Sequence, residues 1–345
     1  MKRTRNMHRK LKYGIVLLQW KTLSLTRRQL HLFGVIACSL ITTLVTCLVY
    51  TPSYSTAPPT FSSNFIPRHD CKSWKASPQH KTTLITRTTC ERKYFLLILV
   101  SSAPKNFERR KLVREIWGTD THLTAPQWKT YFLLGQTRNQ TQSDLLKKEE
   151  SIYGDMIRGD YYEHYGNQSL KIQMAIEWAA RYCSFSYLLK ADDDVLVNTK
   201  DLIKLLQRNS TPKRGLYMGK LHPTEKVPRT GKWSVSYEEY NNTHYPDFCT
   251  GAGFVMSYDV VECLVPLFDV IMPYRMDDVY VGMLANRSGV KAVDHSGFYV
   301  HWDLVFCKFL PHVLVQHRAT GQCLIKLFRM HSNGRFYYRL SGSFF

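Results

Sequence analysis

Two adjoining stretches decide the fold: Tyr94–Ser102, YFLLILVSS, and Asn106–Gly118, NFERRKLVREIWG. The first is a continuous apolar run of strand length, as expected of a strand covered on both faces. The second carries Leu112, Val113, Ile116 and Trp117 at helical spacing, with Gly118 as the stop. The pattern then recurs. Tyr131–Gly135 (YFLLG) predicts a second strand and Ser143–Gly154 (SDLLKKEESIYG) a helix. Ser169–Cys183 predicts a longer helix that leads into a strand at Ser186–Lys190. Beyond it come a helix over Thr199–Asn209, a short strand at Gly251–Ser257 and a helix over Tyr258–Phe268. Strands alternating with helices argue for a parallel α/β sheet, with ligands beyond the carboxyl ends of the strands.

In SYLLKADDDVLVN, Ser186–Asn198, three consecutive carboxylates, Asp192, Asp193 and Asp194, sit at such an end. Beside an apolar core each would take up a proton unless something positive compensates it. The candidates are a bound metal, Lys190, a helix N-terminus, or plain solvent. Adjacent carboxylates on a turn suit a hard divalent cation such as Mn²⁺ or Mg²⁺, which takes oxygen ligands and is often shared with substrate phosphates. Solvated loops and calcium sites carry acidic runs too. A second pair, Asp277 and Asp278 in YRMDDVYVG, precedes an apolar helix start. It reads either as first-turn acids favoured by the helix dipole or as a general base. CTGAGF, from Cys249, supplies small residues for a close approach to a ligand, or for a turn.

The amino-terminal part differs in kind. The first fifty residues hold nine Lys and Arg and no acid, and the first acidic residue is Asp70. Leu32–Tyr50 then offers 19 residues without a charge, enough for a helix to cross a bilayer. The basic flank precedes this run and Thr51–Pro67 is uncharged, which places the N-terminus in the cytosol and the rest in the lumen. A cleaved signal peptide would have a shorter core and fewer polar residues ahead of it. Of the net charge of +20, the first fifty residues supply +9 and the remainder +11. In a lumenal domain that excess suits anionic membranes and phosphate-bearing small molecules better than nucleic acid. Thr51 to about Thr89 is rich in Ser, Thr and Pro and reads as a flexible stem. Seven cysteines follow the apolar run, an odd number without zinc spacing, so in an oxidising compartment at least one lacks a partner within the chain. N-x-S/T sequons begin at Asn139, Asn167, Asn209, Asn241 and Asn286.

Six segments, FERRKLVREIWG, YFLLGQ, NQSLKIQMAIEW, LLKADDDVLVN, YPDFCTGAGFVMS and MDDVYVG, occur in an order and rough spacing that resemble the β-1,3-glycosyltransferase family, from about Tyr94 onward. The resemblance implies an α/β fold, a Rossmann-like domain of the GT-A type over residues 90–345. A cytosolic tail (1–31), a signal anchor (32–50) and a stem (51–89) would precede it in the Golgi membrane. It also implies a UDP-sugar donor, a Mn²⁺ ion (Mg²⁺ as the alternative), inversion at the anomeric carbon, and a glycan acceptor on a glycoprotein or glycolipid. Residue by residue, Asp192, Asp193 and Asp194 match the family's D-x-D segment, with Asp194 resembling the metal ligand and Asp192 facing the nucleotide sugar; Asp193 is a donor-binding candidate too, with holding the turn as its alternative role. Asp278 resembles the catalytic base, with Asp277 next in line. Arg110 and Arg114 match the basic helix beside the nucleotide, and Lys190 joins them among the donor-binding candidates. In LVQHRATG, His317 fits a late histidine that completes the metal shell, with His295, His301 and His312 nearby.

Two departures are mild: Ile116 stands where the family has threonine, and Asp277 where it has glutamate. Neither removes a residue assigned to chemistry, so an active enzyme is expected rather than a non-catalytic carbohydrate-binding protein. KWSVSYEEY and YPDFCTGAGFVMS resemble the galactosyl branch, while N-acetylglucosaminyl and N-acetylgalactosaminyl members share the same motifs.

Overall fold

A computed structural model of the chain describes residues 82–120, 127–300 and 307–332. The tail, the span expected at 32–50, residues 51–81 of the stem and His301 lie outside the described residues; the end of the expected stem, 82–89, belongs to the folded domain, hydrogen-bonded to β3 and to Trp178. Among the described residues no helix is long and apolar enough to cross a membrane.

The run at Tyr94 forms strand β1 (Tyr94–Ser101), followed by β2 (Trp128–Gln136), β3 (Met156–Tyr162), β4 (Phe185–Asp192), β5 (Val195–Val197), β6 (Tyr217–His222), β7 (Phe248–Ser257), β8 (Ala292–Asp294), β9 (Phe298–Tyr299) and β10 (Val315–His317). The helices are α1 (Phe107–Val113), which continues as a π-helical turn over Arg114–Gly118, α2 (Gln140–Tyr153), α3 (Gln168–Tyr182), α4 (Thr199–Gln207), α5 (Tyr258–Leu264), α6 (Asp277–Arg287) and α7 (Gly321–His331). Seven strands make one sheet in the order β3-β2-β1-β4-β7-β6-β8, and β5-β10-β9 make a second, small one.

The large sheet is mixed, which corrects the expectation of a parallel one. From β3 to β4 all neighbours are parallel, but β7 runs antiparallel to both β4 and β6. The apolar run of β7 carries no sign of its direction. A buried strand alternates its faces identically read either way, so sense had to come from the connections. Between β6 and β7 the chain makes no helix, and antiparallel neighbours need no crossover helix.

Each face of the sheet is covered. Leu97, Leu99 and Leu188 pack on one side under Trp178 of α3, Val261 of α5 and Leu284 of α6. Leu96, Ile98, Val100 and Leu189 point the other way, toward Val113, Trp117, Leu202 of α4 and Leu327 of α7. That division explains why β1 is apolar at every position up to Val100 rather than at alternate ones. Trp178 is fully buried, and truncation of such a side chain to alanine costs about 3–5 kcal/mol. Local signals mark the helix ends: Asn139 accepts the Gln142 N–H at 3.0 Å to cap α2, and Gly154, at φ 59°, takes the left-handed turn that ends it. Disulfides join Cys90 to Cys183 and Cys307 to Cys323, Cys263 is also disulfide-bonded, and Cys249 is a buried free thiol.

Candidate functional site

The chain leaves β4 at Asp192, turns through Asp193 and Asp194 and enters β5. Asp193 faces inward. Its Oδ2 accepts from Ser102 Oγ at 2.7 Å and Asn106 Nδ2 at 2.8 Å, and its Oδ1 from Arg109 Nη1 at 2.9 Å. These bonds tie the turn to the loop after β1 and to α1, and Asp193 is spent on that task.

Asp194 faces the opening. Val195, the next residue, pairs with His317 across β5 and β10, and the Ala319 N–H binds the Asp194 carbonyl at 2.8 Å. This register brings His317 Nε2 to 3.7 Å from Asp194 Oδ1, while Arg109 Nη1 stands 3.6 Å from Asp194 Oδ2. Burial lowers the His317 pKa below the ordinary histidine value, more than neighbouring Asp194 raises it. The neutral ring is the form that ligates a metal. Its Nδ1 is buried and has no hydrogen-bond partner among the described residues. Nor do the described residues hold a group of three or more His, Cys, Asp or Glu arranged for a metal. One carboxylate and one neutral imidazole fit a divalent cation that takes the rest of its shell from a diphosphate and water, and are too few to hold one alone.

The second acid pair opens α6. Lys190 of β4, almost without solvent contact, donates to Asp192 Oδ1 at 2.8 Å, to Asp277 Oδ2 at 2.9 Å and to the Gly251 carbonyl. Burial alone would lower its pKa, but Asp192 and Asp277 outweigh burial and hold it charged. Asp278 accepts the Gly251 N–H at 3.0 Å and the Val279 N–H at 2.9 Å. Burial, then the charge of Asp277, pushes its carboxyl up to about 6 against those bonds. A Cβ at Gly251 would lie 3.2 Å from Asp277 Oδ1 and 3.4 Å from Asp278 Oδ2, so a side chain there would push the two carboxylates aside by a few tenths of an ångström. The CTGAGF glycine thus gives room to the carboxylates themselves.

Asp192, Asp193, Asp194, Asp277, Asp278 and His317 line one cavity of about 750 Å³. Arg110 and Arg114 are not brought to it. Arg110 is fully buried and bidentate to Glu149, at 2.8 and 2.6 Å. Arg114 pairs with Glu149 at 2.8 Å and with Asp155 at 2.8 Å, its guanidinium over the rings of Phe132 and Tyr153. The reason is helical phase. Arg110, Val113, Arg114 and Trp117 recur at i, i+3, i+4 and i+7, and the two apolar members turn that face inward. Arg109, about 100° further round the helix, meets the carboxylates instead. Its neighbourhood was legible from the same spacing, as the arginine outside the apolar stripe. Arg110 acts at one remove, donating to Ser102 Oγ at 3.1 Å and to the Ala103 carbonyl at 2.6 Å. His295 and His312 are not among the cavity's lining residues.

The connection 223–247 between β6 and β7 walls the cavity through Glu225, Pro228, Lys232, Trp233 and Tyr245. It is built round Arg229, whose guanidinium donates to the carbonyls of Val235, Ser236, Tyr240 and Asn242 and lies 3.8 Å from the Tyr237 ring centroid. Arg275, two residues before Asp277, makes a bidentate pair with Glu239 of the same connection at 2.8 and 2.9 Å. Trp233 Nε1 donates to Tyr165 Oη at 2.9 Å across the opening. A second cavity, of about 910 Å³ and without either acid group, continues past the ends of β2 and β3 and shares Ala103, Glu163, Tyr165 and Gln168 with the first.

Known proteins carry the same arrangement of sequence. Residues 108–296 match the family model described as Galactosyltransferase. The mouse protein named β-1,3-galactosyltransferase 1 is 32% identical over 241 residues, covering 68% of this chain and 73% of that protein. The bonobo (Pan paniscus) β-1,3-galactosyltransferase 5 is 33% identical over 200 residues, 57% and 66% of the two chains. Among solved structures, a glycosyltransferase involved in glycosylation of the major capsid of PBCV-1 overlaps 69% of this chain and 98% of its own at 16% identity, with a TM-score of 0.28. The extent of the sequence matches places this chain in the galactosyltransferase family.

Proposed function

We propose that the protein is a Golgi-anchored, Mn²⁺-dependent, inverting β-1,3-hexosyltransferase of the GT-A type. In this reading it moves galactose from UDP-galactose to a terminal sugar of a glycoprotein or glycolipid. One observation carries the reading: the acid turn after β4 and the acid pair opening α6 line the same cavity, with His317 and Arg109 beside the first. Family membership supports glycosyl transfer, and the names of its relatives support galactose and the β-1,3 linkage. The uncharged run at 32–50 behind a basic flank supports the anchor.

Asp194 and His317 would hold the cation, which supplies positive charge where the leaving diphosphate becomes more negative. Arg109, fixed by Asp193, adds a permanent cation at the same end. Asp192 faces the donor. Asp278 takes the proton of the acceptor hydroxyl as that oxygen bonds to the anomeric carbon and the bond from that carbon to the diphosphate oxygen breaks. A single displacement converts an α-linked donor into a β-linked product. A carboxyl held near 6 is ionised at neutral pH and more basic than an ordinary aspartate. The test is UDP release by the purified protein with Mn²⁺ across a panel of UDP-sugars, with and without a β-linked acceptor glycan. Acceptor-dependent release with UDP-galactose is expected. Binding of sugar nucleotides without release from any would overturn the enzyme reading, and release indifferent to acceptor would make the protein a hydrolase.

A further inference from the structure

We propose that Lys190 is a positioning residue: from behind the cavity wall its ammonium locks the donor-side strand β4 to the base-bearing helix α6 and sets the arrangement of Asp277 and Asp278, without touching substrate. The proposal rests on the reading of Asp278 as the base. An ammonium has three N–H donors, and Lys190 gives them to Asp192, Asp277 and the Gly251 carbonyl. None remains for a phosphate. Its side chain is 1% exposed, and it is not among the residues that line the cavity, whereas all three of its acceptors are. This replaces the expectation that Lys190 binds the donor.

The acceptors belong to three different elements, β4, α6 and β7. Gly251 is held on both sides, its carbonyl by Lys190 and its N–H by Asp278 Oδ2. Lys190 therefore reaches the base by two routes, through Asp277 and through the Gly251 backbone. The titratable groups acting on or facing Asp278 are Asp277 on α6, Lys190 with Asp192 beside it on β4, Cys249 on β7, Tyr217 on β6 and Tyr165 ahead of α3. In this set Lys190 is the cation. Without it, neighbouring carboxylates would face one another uncompensated, and like charges at close range favour the protonated forms.

Lys190→Met, Lys190→Arg and the double variant Lys190→Met/Asp277→Asn, in the full-length protein, test this against wild type and Asp278→Asn. The readouts are transfer kinetics with UDP-galactose, the acid limb of kcat/KM, and thermal melting. Lys190→Met is expected to lower kcat by about 100-fold with donor KM changed by less than about threefold, and to move the acid limb up by about one pH unit. Lys190→Arg recovers part of both. The double variant, which removes a cation and an anion together, brings the acid limb back toward its original position and carries the test if Lys190→Met does not fold. A donor KM raised about tenfold at unchanged kcat would make Lys190 a donor ligand and overturn the proposal. So would a fall in kcat with the acid limb unmoved, or a double variant whose limb stays displaced. If Asp278→Asn transfers normally, the base assignment itself fails, whatever Lys190 does. If Asp278→Asn is inactive and Lys190→Met is normal in kcat and limb, the positioning role alone fails.

Discussion

Replacing Arg110 with methionine removes one partner from a pair that water does not reach: the two side chains are 0% and 1% exposed, with Nη2 to Oε2 at 2.6 Å. A buried carboxylate that loses its partner costs about 3–5 kcal/mol. Glu149 keeps Arg114 at 2.8 Å, so the lower end, about 3 kcal/mol, applies. At roughly 2–4 °C per kcal/mol for a domain of this size, that is a melting point lower by about 10 °C. The decisive comparison is the double variant Arg110→Met/Glu149→Met. Replacing both charges with apolar side chains of similar volume is often close to neutral, so the double variant is expected to melt above the single one, and the cycle gives a coupling energy of at least about 3 kcal/mol. Scanning calorimetry or urea unfolding of the four proteins measures it. A single variant within about 1 kcal/mol of wild type, below the cost set by burial, would refute the structural role. A raised UDP-sugar KM at unchanged stability would return Arg110 to the nucleotide.

Asp278→Asn is expected to reduce transfer by about 10²–10⁴-fold while leaving UDP binding near wild type, measured by kinetics and calorimetric titration. The pH profile follows from the raised carboxyl. The base works only when ionised, so activity is present above about 6 and lost as the pH falls through it, about two pH units earlier than for an ordinary aspartate; a limb near 4 would contradict the assignment. Gly251→Ala places a methyl 3.2 Å from Asp277 Oδ1, and is expected to lower kcat several-fold more than donor affinity, the reverse split counting against it. His317→Ala is expected to raise the Mn²⁺ concentration needed for half-maximal activity by about 10–100-fold, as loss of one metal-shell group does elsewhere; an unchanged requirement would take His317 out of the shell.

The sequence carries the elements whose apolar faces are long. β1, α3 and the strand leading to Asp192 read directly, because each repeats its burial pattern over several residues. β5 and β10 have three residues each and β9 has two, too few for any periodicity to register. Yet the pairing of Val195 with His317 is what sets the histidine beside Asp194. β3 escaped for a different reason: Arg158, Gly159 and Asp160 interrupt it, as suits an edge strand, whose outer flank pairs only with the short segment Thr83–Thr86. The acid residues were visible as residues and the family resemblance already gave them unequal roles, but the physical reason for the inequality was not in the run itself. Which of three adjacent carboxylates is buried depends on Ser102, Asn106 and Arg109, which lie far from it in sequence. The arginines failed on phase, since motif order says which helix is basic and only its apolar stripe says which arginine looks out.

The reversal of β7 has a consequence for how this protein can diverge. Because β6 ends and β7 begins at the cavity, the connection 223–247 reaches it through Glu225, Pro228, Lys232, Trp233 and Tyr245, closed on itself by Arg229 and fastened beside the acid pair by Arg275 and Glu239. Such a segment is a cassette. A replacement from a relative would have to keep the two arginine fastenings and the apolar residues Val227, Val235 and Tyr245 that the segment buries in the core. Under the proposed function, this segment is where selectivity for the acceptor sugar would vary while the acid turn and the acid pair stay the same.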